Sequence, residues 1–188
     1  MLKSMTTAIR LSLVLMLLCG VIYPLVTTVV AQAVFHKEAN GSLIESNGKV
    51  IGSQLLAQSF DSPQLFHPRA SAAKYEGTAS AGSNQAVASS EYAKQMAAQI
   101  DRLKKENPGL RTIPADLVTT SGSGFDPDLS PEGAKAQMPR ISRETGISER
   151  QLGLLIDEYT QTRQFGILGE PRVNVLELNL ELLRQMKK

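Results

Sequence analysis

The sequence predicts an α+β protein: one N-terminal transmembrane helix, then a single extracytoplasmic domain with a small β-hairpin or sheet and several helices. Three observations carry this. Residues 11–35, "LSLVLMLLCGVIYPLVTTVVAQAVF", hold no charged side chain. An Asn47-Gly48 pair sits between two short β-prone runs in "GSLIESNGKVIGS", which suits a type I′ hairpin turn. Several later segments place apolar residues at helical spacing behind a Ser or Asn cap.

The apolar run is long enough to cross a bilayer, which takes about 20 such residues in a helix. A secretory signal peptide is the competing reading, and "AQA" at 31–33 resembles a small-x-small cleavage site. The apolar core of a signal peptide is roughly 7–15 residues, shorter than this run, so the span is read as a retained anchor. Lys3 and Arg10 precede it, and no acidic residue occurs in the first 35 positions. Flanking cations mark the cytoplasmic side. The expected layout is a cytoplasmic N-terminus (1–10), the span (11–35) and an extracytoplasmic domain (36–188), in contact with membrane lipid. Pro24 lies near the middle of the span, where a proline frees a helical carbonyl. Thr27 and Thr28, one turn later, can bond back to the helix or across to a partner helix.

The chain has 188 residues and a net charge of +2, which leaves room for one cored domain and gives no pull toward nucleic acid. All 18 acidic residues, and all but two of the 20 basic ones, follow the span, so the outer domain is formally neutral. Cys19 is the one cysteine and lies in the apolar run, so no intramolecular disulfide can form. The two histidines, His36 and His67, do not fit a zinc spacing.

Beyond the hairpin, residues 62–89 are rich in Ser, Ala and Gly and show no periodicity; long loops of this kind are functional or disordered. A helix is expected from near Ser90, with Tyr92, Met96, Ile100 and Leu103 on one face, ended by Asn107-Pro108-Gly109. The stretch "TIPADLVTTSGSGFDPDL" reads as extended and loop-like. Ser130 then caps a helix with Pro131 at its first position. Pro139 should kink or split that helix, and Gly146 should end it. Ser148 and Gln151 form a capping box, with Ile147 and Leu152 as a hydrophobic staple. Leu152, Leu155, Ile156 and Tyr159 form the buried face of that helix. The final run, "VNVLELNLELLRQMKK", alternates like a strand, but its Leu/Glu composition and the Asn174…Glu177 cap favour a helix.

The stretch "SGSGFDPDLSPEGA", residues 121–134, invites a catalytic reading and fails each template. A phosphate loop needs G-x-x-x-x-G-K-[ST], and no lysine follows Gly122 and Gly124 at that spacing. A calcium loop needs a glycine and a distant glutamate after alternate oxygen ligands, and Asp126 and Asp128 supply only two. A serine nucleophile needs G-x-S-x-G, which is absent. Nothing in the sequence makes Asp126 and Asp128 face each other as an acid–base pair. A bend and a helix cap remain, or a docking loop exposed on a scaffold.

Several stretches together resemble the C subunit of the bacterial Kdp potassium-transporting ATPase. They are "VIYPLVTTVV", "GSLI", "IGSQLLAQSF", "FHPRASA", "GSN", "IPADLVTTSGSGFDPDLSPEGAKAQMPR" and "LGEPRVNVLELNLEL". They run in order over nearly the whole chain. Arg69-Ala70-Ser71-Ala72 stands where the family usually reads R-P-S-A, and Ala81-Gly82 replaces a glycine pair.

The resemblance implies a single-span, non-catalytic subunit in the bacterial plasma membrane. Its partners would be a channel-like potassium-translocating subunit and a P-type ATPase subunit. It also implies a catalytic chaperone that raises the ATP affinity of the pump, with ATP reached only through a complex with the pump subunit. By position in the family's A-x-Q-x-P-R segment, a nucleotide contact falls on Gln137. The charge rule places residues 36–188 across the membrane from cytoplasmic ATP. Docking is expected through Tyr23, Pro24, Thr27 and Thr28 in the span. In the domain it is expected through Arg69, Ser71, Gly82, Ser83, Asn84, Ser121, Gly124, Asp126, Pro127 and Ser130. Two other readings stand beside this one: an anchored hydrolase using Asp126 and Asp128, and an anchored binding module for a small external ligand.

Overall fold

A computed structural model describes residues 2–46 and 48–187. The chain divides into two compact units, Met1–Leu43 and Ile44–Lys188.

The first unit is dominated by one apolar helix, Leu2–Val34. It comprises α1 (Leu2–Leu17), a π-helical turn (Leu18–Ile22) and α2 (Tyr23–Val34). In a regular helix the ring of Pro24 would press on the carbonyl of Gly20. Here the turn before it is widened, and the Tyr23 N–H reaches back to the Leu18 carbonyl. Thr27 Oγ1 donates to the carbonyls of Tyr23 at 2.9 Å and Pro24 at 3.0 Å, so of the two roles open to it, this threonine bonds back to its own helix. Neither α1 nor α2 has a buried residue. A helix apolar on every side needs an apolar surrounding, which fits a single-pass membrane subunit. A four-residue helix, α3 (His36–Ala39), follows.

The second unit is mixed. Strands β1 (Leu43–Ser46) and β2 (Lys49–Ser53) form a two-stranded sheet. Gly48 has φ +73 at their turn, as the predicted hairpin requires; Asn47 lies outside the described residues. Helix α4 (Ser90–Glu106) starts where Ser89 accepts the Tyr92 N–H and buries Leu103. Within residues 112–129, only the helical turn departs from the extended, loop-like reading. Ala115–Val118 is a helical turn, α5, entered from Pro114, and Asp128–Leu129 is strand β3. Thr119 Oγ1 bonds the Ala115 carbonyl at 2.8 Å, closing that turn in a way no apolar periodicity announces.

Ser130 caps α6 (Pro131–Lys135) through the Gly133 N–H. Pro139 sits in the first turn of a separate helix, α7 (Met138–Thr145), which ends at Gly146 with φ +77. The Ser148–Gln151 capping box opens α8 (Glu149–Tyr159). Strands β4 (Thr160–Gln161) and β5 (Arg172–Asn174) then lead into α9 (Val175–Met186), whose cap is the Asn174 side chain on the Glu177 N–H. The second sheet is antiparallel in the order β3-β5-β4, pairing Leu129 with Val173 and Thr160 with Val173.

These elements close on one core: Phe66, Leu103, Leu117, Leu129, Ile141, Leu152, Leu155, Ile156, Val173, Val175, Leu178 and Leu182. Leu178 on α9 is fully buried at its centre. Leu178→Ala should therefore lower unfolding free energy by about 3 kcal/mol, read from the thermal melt of the full chain in detergent. A cost as small as that of a surface change would mean the core does not close on α9.

Candidate functional site

The residues singled out in the two loops of the domain meet one another. Arg69 Nη1 lies 2.7 Å from Asp126 Oδ2. Ser71 Oγ donates to the Gly124 carbonyl at 2.7 Å and accepts the Tyr75 N–H at 3.1 Å. The Ser121 N–H bonds the Ala70 carbonyl at 2.9 Å, and the Ala81 N–H bonds the Ser123 carbonyl at 3.2 Å. Ser121 Oγ accepts from the N–H groups of Gly124 and Asp126. Gly124, buried with φ +76, sits where a Cβ would come within 2.7 Å of Ala73 Cβ and 2.8 Å of the Ala81 carbonyl. Only glycine fits that close approach in that backbone conformation. Gly82 lies against the same junction, next to the Gly122 carbonyl. Pro127 gives its carbonyl to the Val175 N–H at 2.9 Å, tying the junction to the start of α9. Ser83 and Asn84 are exposed beside it.

The two aspartates face different arginines. Asp126 pairs with Arg69, and its other oxygen accepts the Asp128 N–H. Asp128 lies 3.0 Å from Arg172 Nε. Burial pushes the Asp128 carboxyl above its ordinary range, Arg172 pulls it down, and Asp126 raises it again. Each carboxylate is held by its own cation, an arrangement of loop anchors. Around them lies an open groove that also meets Asp116, Ser130 and Glu132. Among the described residues, no group of three His, Cys, Asp or Glu side chains is placed to hold a metal ion.

Gln137 is buried just beyond α6. Its carboxamide accepts the His67 N–H at 2.9 Å and donates to the His67 carbonyl at 3.1 Å. It also accepts from the Arg140 guanidinium at 2.7 Å. The Arg140 guanidinium in turn donates to the Pro63 carbonyl. Asn179 on α9 does the same for the neighbouring residue. It donates to the Phe66 carbonyl at 2.9 Å and accepts the Phe66 N–H at 2.8 Å. Two side-chain amides, one from the turn between α6 and α7 and one from α9, thus hold consecutive residues of an irregular segment. Asn179 was not among the residues read from sequence. Its signal was a lone amide on the face of α9 that otherwise buries Val175, Leu178 and Leu182.

Between α4 and residues 59–75 lies a cavity of about 290 Å³, lined by Asp61, His67, Tyr75, Arg102, Glu106 and Asn107 among others. Burial lowers the His67 pKa, and Arg140 lowers it further, against the Ser62 carbonyl and Glu106, which raise it. The imidazole is therefore neutral near pH 7, and its 3.8 Å approach to Glu106 is not an ion pair there.

The model of a family described as "K+-transporting ATPase, c chain", KdpC, matches residues 5–184. The chain belongs to the KdpC family. Among its relatives, a protein of Rhodopseudomonas palustris described as "Potassium-transporting ATPase KdpC subunit" is 45% identical over 97% of this chain and 98% of its own length. Proteins with the same description from Myxococcus xanthus and Caldanaerobacter subterraneus subsp. tengcongensis are 46% and 42% identical, over 98% and 96% of this chain and 90% and 94% of their own lengths. The stretches that resemble the family contain the junction and clamp residues just described.

Two outcomes test this geometry. Asn179→Leu leaves the buried Phe66 N–H and carbonyl without partners, and should cost about 2–4 kcal/mol of stability in a thermal melt. A change near zero would mean the clamp is not structural. For His67 the folded-state pKa is depressed, so its contribution is present above the ordinary value of 6.5 and is lost as pH falls through the folded pKa. Melting temperature should drop on acidification below 6.5, and His67→Gln should flatten that part of the profile. An equal slope in both proteins would assign the acid sensitivity to other groups.

Proposed function

We propose that the chain is the accessory subunit of a high-affinity, ATP-driven potassium uptake complex, acting in assembly and raising the ATP affinity of the P-type ATPase subunit as a catalytic chaperone. The observation that carries this is the family match across residues 5–184, joined to a 33-residue helix whose most apolar window has no buried residue. In this reading the chain does not hydrolyse ATP itself. The span crosses the bacterial plasma membrane with its N-terminus in the cytoplasm. It packs on partner helices around Tyr23, Pro24, Thr27 and Thr28. Tyr23 is 68% exposed and so available to a neighbour.

The domain, 36–188, lies on the extracytoplasmic side. It docks over the mouth of the channel-like translocating subunit through the outer surface of the 62–89 and 121–131 loops, where Ser83 and Asn84 are exposed. The interlocked bonds of Arg69, Ser71, Ser121, Gly124 and Asp126 preorganise that surface, which lowers the entropy lost on docking. A nucleotide contact at Gln137 would require its carboxamide to release His67 and Arg140. ATP affinity is therefore assigned to the assembled pump.

Deleting residues 2–35 should abolish co-purification with the other subunits and potassium uptake. Undiminished assembly and transport would overturn the proposal. In a pump reconstituted without the chain, the KM for ATP should rise; an unchanged KM would remove the chaperone role. A second reading, binding of a small external ligand, draws on the 290 Å³ cavity. A thermal shift of the full chain with potassium or ATP, absent with sodium and GTP, would favour it.

A further inference from the structure

The connection from β4 to β5 projects from the domain, and every residue from 161 to 171 is exposed. Its tip is apolar. Phe165 is 91% exposed, Ile167 75% and Leu168 54%. Phe165 holds this position with φ +54, a left-handed conformation that a bulky side chain rarely adopts and that tends to mark contact sites. The backbone of the tip is closed on itself. Gln164 and Leu168 exchange both N–H···O bonds at 2.9 Å, and the N–H groups of Gly166 and Ile167 bond the carbonyls of Arg163 and Gln164. From Thr160 to Gly169 the one charged side chain is Arg163, paired with Glu170 at 2.7 Å at the base of the hairpin.

We infer that this tip enters the interfacial layer of the bilayer, as a second, shallow membrane contact of the anchored domain. The inference rests on the membrane-anchored reading above. Three arguments favour lipid over a protein groove. First, the tether from Phe35 to Ile44 spans at most about 35 Å when fully extended, so in the anchored reading bilayer lipid stays within that distance of the start of the domain. Second, three large side chains on a convex tip offer on the order of 500 Å², below the roughly 800 Å² per partner of a stable protein interface. A fluid interface needs no matching pocket. Third, the N–H groups of Gln164, Gly166, Ile167 and Leu168 are bonded within the tip, which lowers the cost of taking that backbone out of water. The guanidinium of Arg163, which has donors beyond its pair with Glu170, lies where headgroup phosphates would be met.

The chain has no tryptophan, so Phe165→Trp creates a single fluorescent reporter. The full-length variant is reconstituted in phosphatidylethanolamine–phosphatidylglycerol vesicles, with and without acyl-chain-brominated phosphatidylcholine. Val87→Trp, at a position 86% exposed in the long loop, is the comparison. The indole at position 165 should emit to the blue of the one at position 87 and be quenched at least roughly twofold more by bromine. Ile167→Trp should behave likewise and covers the case in which the first variant does not fold. Vesicle flotation separates the two readings. A chain that floats with an unquenched indole overturns the inference alone. A chain that does not float overturns the anchored reading and the inference with it. A blue shift that appears only when the other pump subunits are added, without bromine quenching, assigns the tip to a protein partner and also overturns it.

Discussion

The domain depends on two side-chain amides that stand in for a strand. The segment between the hairpin and α4 has no regular structure, yet it must place Phe66 at the centre of the core. A buried backbone without ladder partners would be strongly unfavourable. Asn179 and Gln137 each offer a donor and an acceptor to one residue of that segment, Phe66 and His67. A carboxamide presents the same donor–acceptor pair as a peptide group. The two helices that carry them, α9 and the split α6–α7 unit, need no neighbouring strand to hold the loop.

The 121–128 loop extends the same logic outward. Its contacts to residues 69–81 run through backbone carbonyls and serine hydroxyls, with one ion pair, Arg69–Asp126, at the rim. Partly exposed ion pairs contribute little stability. The close approach permitted by Gly124 sets the geometry, and the charges fix its direction. Asp116 continues the network by accepting the Ser130 N–H at 2.7 Å beside the start of α6, so α5, the loop and the helix cap are positioned together.

The caps were legible because capping is local. Ser130, Ser148 and Asn174 each lie within three residues of the N–H they accept. The division of 131–145 at Pro139, the stop at Gly146 and the helical C-terminus follow from the same short-range chemistry. The second sheet was not legible, because strands of two or three residues carry no readable period. Nor were the clamps, which join residues 70 and 113 positions apart. The nucleotide contact at Gln137 was placed by resemblance alone, and its bonds to His67 are long-range contacts that no local pattern announces. Loop composition marked the 62–89 and 121–134 stretches and resemblance marked residues within them, but neither showed that the two loops bond to one another.

The π-helical turn at Leu18–Ile22 has a consequence for how the apolar helix can be read by its neighbours. Widening one turn adds a residue to it, and each residue advances an α-helix by about 100°. The side-chain rows of α1 are thus offset from those of α2 by close to a third of a revolution, compared with an unbroken helix of the same sequence. A straight helix laid along the whole length could follow one row only as far as the widened turn at Leu18–Ile22. Beyond that point it would meet a different set of residues, so the two halves of the span present two separately oriented seams.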